Sequence, residues 1–354
     1  MRVAMLAPIS WRTPPRAYGP WELVTSLLTE GLVARGIEVT LFATLDSRTA
    51  GTLSGVVARG YSEDPTIEAK VAEALHIAHV FEHADEFDII HNQADFMPLA
   101  FSRMVETPMV TTIHGFSSQR ILPMFKAYED RVAYVAISHA DRHPHLRYAA
   151  TIHHGIVMDQ FDFNPEGSDD LLFFGRIHPH KGAGEAIRVA AQAGRRLVMA
   201  GLIQDTGYYQ REVEPFLGAA VDYRGVIGGR ARKAALGNAR ALLHLIDFDE
   251  PFGLSVVEAM ASGTPVIAYR RGSMAELIED CVTGFLVDTP EEAVEAIDRI
   301  GQIDRATCRA AVARRFTVER MVDDYIALYA RLIAPRGAER RDDIPGMVEL
   351  PRLG

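Results

Sequence analysis

The sequence predicts an α/β protein made of two doubly wound parallel-sheet domains that face each other across a central cleft. Three observations carry the prediction. Short apolar runs alternate with longer amphipathic patterns along most of the chain, the signature of a parallel sheet covered by helices on both faces. The alternation breaks at the polar, turn-rich stretch Phe161–Asp170 (FDFNPEGSDD) and then starts again. The chain has 354 residues, about twice the usual domain size.

Taken in order, Arg2–Ala7 reads as a buried strand. A proline-rich loop follows, then a helix from about Trp21 to Arg35, whose Leu23, Leu27, Leu28, Leu32 and Val33 recur at spacings that line one face. Gly36 stops it, and Glu38–Ala43 (EVTLFA) is the next strand. A long helix over Ile67–His83 precedes strands at Asp88–His91, Met109–Ile113, Val132–Ile137 and Thr151–His153. After the break come Leu171–Gly175 (LLFFG), a helix near Gly184–Ala193, and strands at Arg196–Ala200, Val221–Arg224, Ala241–Ile246, Pro265–Tyr269 and Gly284–Val287. Helical patterns close the sequence over Pro290–Gln302, Arg305–Arg315 and Val318–Leu332. This gives an N-terminal domain over 1–163, a C-terminal domain over 164–317, and a last helix near 318–333. The tail, 335–354, with its three prolines and three glycines, is expected to be poorly ordered.

Composition narrows the function classes. A formal charge of −10 argues against a generic nucleic-acid binder, though it leaves room for a local cationic pocket. Two cysteines, Cys281 and Cys308, cannot build a disulfide framework or a four-thiolate metal site, and read as reduced thiols of a cytoplasmic enzyme. The first residues, MRVAMLAP, are too poor in apolar side chains for a signal peptide. No stretch approaches the ~18 consecutive apolar residues of a membrane-spanning helix, so no integral membrane segment is expected. Peripheral membrane contact stays open, with the acidic balance against it.

The segment with most chemistry is Glu250–Gly263 (EPFGLSVVEAMASG). A strand ends near Ile246, a loop holds Glu250 to Gly253, and a helix begins near Ser255. Strand, glycine-containing loop and helix N-terminus form a phosphate-binding arrangement, because open backbone N–H groups and the positive end of the helix dipole point outward. Glu250 would sit in the loop and Glu258 in the first helical turn. Ser255 to Glu258 also fits a capping box, and Glu250 also fits a solvated loop carboxylate. No metal site is expected. Asp247 and Asp249 read as solvated, and the pairs His143/His145, His153/His154 and His178/His180 lack the partners and spacing of a zinc site.

The string EPFGLSVVEAMASGTPVIA, followed by GSMAEL and TGFLV, resembles the donor-binding segment of family 4 glycosyltransferases. These are retaining enzymes with the GT-B fold of two Rossmann-like domains. FGRIHPHKG at Phe174–Gly182 resembles the family's diphosphate-binding arginine and lysine, and YGPWE at Tyr18–Glu22 its first glycine-rich loop. TTIHG at Thr111–Gly115 resembles the segment bearing an active-site histidine; AISHA at Ala136–Ala140 and HHGI at His153–Ile156 are two further landmarks. There are departures: Gly19-Pro20 replaces a Gly-Gly pair, and Pro20 has no N–H to offer, while His154 replaces an asparagine.

The resemblance implies transfer of a hexose, glucose or mannose, from a UDP- or GDP-sugar to a sugar or other hydroxylated acceptor, with no cofactor beyond the donor and no metal. It implies that Arg176 and Lys181 neutralise the departing diphosphate, that Glu258 holds the ribose and Glu250 the donor sugar, and that His114 bonds that sugar. Gly19 and the N–H groups of Phe252, Gly253 and Leu254 would meet phosphate or sugar oxygens. Asp95 is the acceptor-side candidate, with a helix N-cap as its other reading. The last helix is expected to cross back onto the first domain. A sugar-nucleotide epimerase and a non-catalytic nucleotide-sugar-binding protein are the competing readings.

Overall fold

The computed structural model describes residues 1–16, 18–115 and 119–334; the expectation of a disordered tail at 335–354 falls outside them. In the first half run β1 (Arg2–Leu6), α1 (Pro20–Ala34), β2 (Glu38–Phe42), β3 (Thr52–Ser54), α2 (Ala69–Glu82), β4 (Ile89–Asn92), β5 (Met109–Ile113), α3 (Leu122–Ala127), β6 (Val132–Ala136) and β7 (Ala150–Thr151). All their strand pairings are parallel, in the order β3-β2-β1-β4-β5-β6-β7.

A second parallel sheet begins with β8 (Leu171–Phe174) and continues through α4 (Ala183–Gln192), β9 (Leu197–Ala200), α5 (Thr206–Glu212), β10 (Val221–Tyr223), α6 (Gly229–Asn238) and β11 (Ala241–His244). Then come α7 (Leu254–Ala261), β12 (Val266–Tyr269), α8 (Met274–Leu277), β13 (Gly284–Val287), α9 (Pro290–Arg299), α10 (Arg305–Arg315) and α11 (Val318–Ile333). The strand order is β10-β9-β8-β11-β12-β13.

The two-sheet α/β architecture is the one expected, with local differences. α2 starts at Ala69 instead of Ile67, and a long 3-10 stretch, Met97–Met104, follows β4 where no apolar period announced a helix. In α1 the buried face is Val24, Leu28 and Leu32 together with Thr25 and Thr29, while Leu23 and Leu27 are only half-buried. Thr25 tolerates burial because its hydroxyl bonds the Trp21 carbonyl at 2.8 Å, whereas the buried Thr29 hydroxyl has no such partner.

Each sheet has its own core. Leu171, Val198, Leu243, Val257 and Ile267 belong to one cluster, and Val3, Met5, Val24, Leu28 and Val110 to another. α11 belongs with the second: Met321, Val322, Tyr325 and Tyr329 pack into the cluster of α1 and the first sheet. The chain returns to that sheet through a parallel bridge between Ile156 and Thr317. Among the described residues no helix is long and apolar enough to cross a membrane.

Candidate active site in the interdomain cleft

In each sheet the chain direction switches sides at its centre, between β1 and β4 in the first and between β8 and β11 in the second. Loops leaving the carboxyl ends of such strands diverge and leave a crevice, the usual ligand position in open α/β sheets. The two crevices face one another and merge into a cavity of about 1030 Å³. Every site residue singled out from the sequence lines it.

The C-terminal wall is made of charges and an open helix end. Gly253 caps α7 at φ +97°, a conformation that favours glycine, and no side chain closes the helix N-terminus. Its first-turn N–H groups therefore point at the cavity lined by Gly253, Leu254 and Ser255. Phe252, just before it, is buried. Lys181 Nζ forms an ion pair with Glu250 Oε2 at 2.5 Å and lies 4.6 Å from the centre of the Phe248 ring. The loop carrying Lys181 can approach β11 so closely because residue 182 is glycine: a Cβ there would stand 1.9 Å from the Leu245 carbonyl oxygen. His244 lies 3.8 Å from Glu250, but burial pushes its pKa down to about 4, so it adds no charge at neutral pH. Arg176 hydrogen-bonds Gln204.

Glu258 corrects two expectations. Because α7 begins at Leu254, Glu258 lies in the second turn, not the first, and Ser255 is inside the helix, so no capping box forms. Its carboxylate instead pairs with Arg232 of α6. Burial raises the Glu258 pKa, with the arginine's charge opposing. Asp247 and Asp249 are exposed as expected, though both lie beside Arg271.

The N-terminal wall is neutral or acidic and is tied into the core. His114, at the end of β5, is only 8% exposed. Its Nε2 lies 2.6 Å from Gln93 Oε1 and its Nδ1 lies 3.3 Å from His154 Nε2. Since a glutamine oxygen only accepts, Nε2 carries the proton and Nδ1 is the acceptor. Trp21 stacks on the ring at 5.1 Å between centroids. Burial holds the His114 pKa near 3, so the ring is neutral. Behind it, Gln93 Nε2 contacts His91 Nε2 at 3.0 Å, and His91 Nδ1 meets the Tyr329 hydroxyl of α11 at 2.5 Å.

Asp95 sits in a left-handed conformation (φ 59°), and burial raises its pKa to about 6. It is not an N-cap: the following 3-10 stretch is flanked by Phe96 and has no side-chain cap. Glu22, in the first turn of α1, is 3% exposed; its Oε1 accepts the Trp11 N–H at 3.2 Å, and burial pushes its pKa to about 7. Gly19 caps α1.

Four residues of this arrangement escaped the sequence reading. Arg232 lies among other cations in GGRARK and nothing marked it out. Glu22 lies inside the string YGPWE and Gln93 two residues before Asp95, so the signal was a polar residue at the carboxyl end of a central strand or the start of its helix. Trp21 is adjacent to Glu22 and read only as a helix start.

Across the mouth the two halves are joined by Glu276 of α8. Its carboxylate accepts the N–H groups of His139 and Ala140 at 2.9 and 2.6 Å and the ring N–H of His153 at 3.0 Å. Burial works to raise its pKa, but the bonds from His153, His139 and Ala140 outweigh it and hold the group at about 2.

Known glycosyltransferases are similar to this chain in sequence and in fold. A family model described as glycosyl transferases group 1 matches residues 158–311, and one described as glycosyltransferase family 4 matches residues 22–158. D-inositol 3-phosphate glycosyltransferase of Mycobacterium tuberculosis is 33% identical over 187 residues, 48% of this chain and 39% of that protein. The match thus spans less than half the length of the curated relatives. AviGT4, a glycosyltransferase involved in avilamycin A biosynthesis, superposes with a TM-score of 0.70 at 25% identity, over 95% of this chain and 98% of its own. Sucrose-phosphate synthase from Thermosynechococcus elongatus (TM-score 0.76, 18% identity, 94% and 99% of the two chains) shares the fold. So does Anabaena Alr3699/HepE, solved with UDP and glucose (TM-score 0.73, 19% identity, 94% and 100%). With two family models that together run from residue 22 to residue 311, on a GT-B fold, the chain belongs to the family 4 glycosyltransferases.

Proposed function

We propose that this chain transfers a hexose from a nucleoside diphosphate sugar to a hydroxylated acceptor and retains the configuration at the transferred carbon. The observation that carries the reading is the Lys181–Glu250 pair beside the uncapped N-terminus of α7, facing His114 across one cleft. A cation and a carboxylate that satisfy each other in the empty cleft can separate onto a donor: Lys181, with Arg176, onto the diphosphate, and Glu250 onto sugar hydroxyls. The N–H groups of Phe252, Gly253 and Leu254 supply further donors, and Glu258 takes the ribose diol while Arg232 stays beside it. Gly19 lets backbone approach the donor from the opposite wall.

In the transfer, the bond from the sugar's C1 to the β-phosphate oxygen breaks with its electron pair leaving on the diphosphate, and C1 bonds to the acceptor oxygen. The proton lost by the acceptor hydroxyl balances the charge released on the phosphate. Stabilising that charge is where catalysis gains most, and fixed cations plus a helix end do it without reorganisation. We assign no metal to this step. His114, neutral and oriented by Gln93, stays in contact with the sugar by giving up its longer bond to His154. Asp95 faces the acceptor. The two free thiols, one exposed and one buried, fit a reducing compartment such as the cytoplasm.

The test is nucleotide binding followed by turnover. UDP-hexoses are the first donors to try, because a neighbour of this fold holds UDP and glucose, with GDP-mannose next. The expected outcome is nucleotide binding and acceptor-dependent release of the nucleoside diphosphate. Absence of binding to either nucleotide by calorimetry would sink the reading.

A further inference from the structure

We infer that the acceptor of this enzyme is a polyhydroxylated molecule carrying no phosphate or carboxylate, held by hydrogen bonds to the acidic N-terminal wall of the cleft. The inference rests on the transferase reading above and adds the chemical class of the second substrate.

The charges on the two walls are segregated. Arg176, Lys181 and Arg232 all belong to the C-terminal wall, the first two facing the diphosphate position and the third paired with Glu258. On the N-terminal wall Glu22, Glu73 and Asp95 line the cavity. Among the described residues Arg16 is the only lysine or arginine there, and its guanidinium is already bound to Glu63 at 2.7 Å and Asp46 at 3.0 Å. The histidines on this wall offer no charge. His76 is 1% exposed, and burial holds its pKa near 4, with that of His114 near 3. A phosphate monoester placed here would meet Glu73 and the partly ionised Glu22 and Asp95 with no free cation to offset its charge, and an anion taken out of water without a counter-charge is costly.

The same wall is well supplied for hydroxyl groups. A carboxylate accepts two hydroxyl bonds at once, and a protonated carboxyl can also donate. Tyr61 is held in place by donating to Glu73 Oε1 at 3.0 Å. An independent observation comes from His76. Its Nε2 donates to the Ala7 carbonyl at 2.9 Å, which leaves Nδ1 as a bare acceptor, and that buried atom has no protein partner. An acceptor with an unused lone pair calls for a hydroxyl or an N–H and repels an anion.

The experiment compares matched probes: methyl α-glucoside with glucose 6-phosphate, and myo-inositol with its 1-phosphate. Binding to the full chain is measured by ligand-observed NMR with and without UDP, and transfer by nucleotide release. The neutral member of each pair is expected to bind, and to be favoured about tenfold or more over its phosphate ester. Glu22→Gln and Asp95→Asn are expected to narrow that ratio. Tighter binding of the phosphate esters, binding of neither member, or ratios unchanged in both variants would overturn the inference. Calorimetric UDP binding in the same preparation keeps the two readings apart, since its loss speaks against the donor site and leaves the acceptor comparison standing.

Discussion

The two walls of the cleft grow from the same sheet order and treat charge in opposite ways. The C-terminal wall holds its charges on loops and near the starts of helices, paired with each other: Lys181 with Glu250, Arg232 with Glu258. Such pairs can exchange partners when a ligand brings its own charge. The N-terminal wall buries neutral histidines and ties them through Gln93, His91 and Tyr329 to α11. Its groups are positioned before any ligand arrives. The comparison teaches that pre-organisation and exchangeable charge are divided between the lobes, with the cost of ordering met by the core on one side and by ion pairs on the other.

The largest effect that could break this comparison is a rate effect. Lys181→Ala and Glu250→Gln are each expected to cut kcat by about 10²–10³-fold, the scale of removing one transition-state donor, while leaving the thermal midpoint nearly unchanged. Asp95→Asn is expected to cost about tenfold or less. Steady-state kinetics beside a melting curve checks all three. Equal losses on both walls would remove the asymmetry.

Acid should act in the other direction and strike the N-terminal lobe. His76, His91 and His114 have folded-state pKa values near 4, 3 and 3, below the ordinary ~6.5. The unfolded chain therefore takes up more protons as pH falls through 6.5, and stability drops toward pH 4. Glu22 and Asp95, near 7 and 6, oppose this because the folded state holds their protons. His154, also held well below its ordinary value, adds to the loss and Asp141, near 7, opposes it; the histidines still outnumber the carboxyls, so stability is expected to fall by on the order of 1 kcal/mol per pH unit between about pH 6 and 4.5. In the C-terminal domain His244 behaves alike, near 4, and His178 is lowered as well. Hydrogen exchange at pH 5 should thus open β4, β5 and α11 before β11 and α7. The reverse order would contradict the charge bookkeeping.

A smaller effect tests the relay. Gln93→Leu removes the acceptor for the His114 Nε2 proton, and its expected cost is about tenfold in kcat, near 1.4 kcal/mol. The readout that a packing change alone would not move is the tautomer of His114, followed by nitrogen chemical shifts. A wild-type tautomer in the variant would reduce Gln93 to a space-filling role.

How much of this was legible in the sequence follows from how local each feature is. The C-terminal wall was readable because Glu250, Gly253 and Glu258 fall within one loop-to-helix turn, and Arg176 and Lys181 within another. Arg232 was invisible because it reaches Glu258 from a separate helix, where it stands between Arg230 and Lys233. The N-terminal relay was harder still: His91 and Tyr329 are 238 positions apart, and only the return of α11 to the first sheet joins them. Capping chemistry misled at Glu258, because the local pattern from Ser255 to Glu258 competes with a tertiary ion pair, and the tertiary partner won.

The smallest effect concerns the join between the walls. Glu276 accepts three hydrogen bonds from the opposite lobe, and a charged acceptor strengthens each. Glu276→Gln keeps one oxygen and loses the charge, so about 1 kcal/mol of stability should go, discounted for a side chain that is 20% exposed. The sign with pH follows from its lowered value: near 2 in the fold against an ordinary 4.5, the contribution is complete above pH 4.5 and is lost as pH falls toward 2. Because Glu276 touches neither Lys181 nor His114, the kinetic signature should be a higher donor KM with kcat little changed, together with faster exchange of the His139 and Ala140 amides. Unchanged exchange at those two amides would mean that the cluster of Phe252, His153, His154 and Phe316 holds the lobes together without the carboxylate.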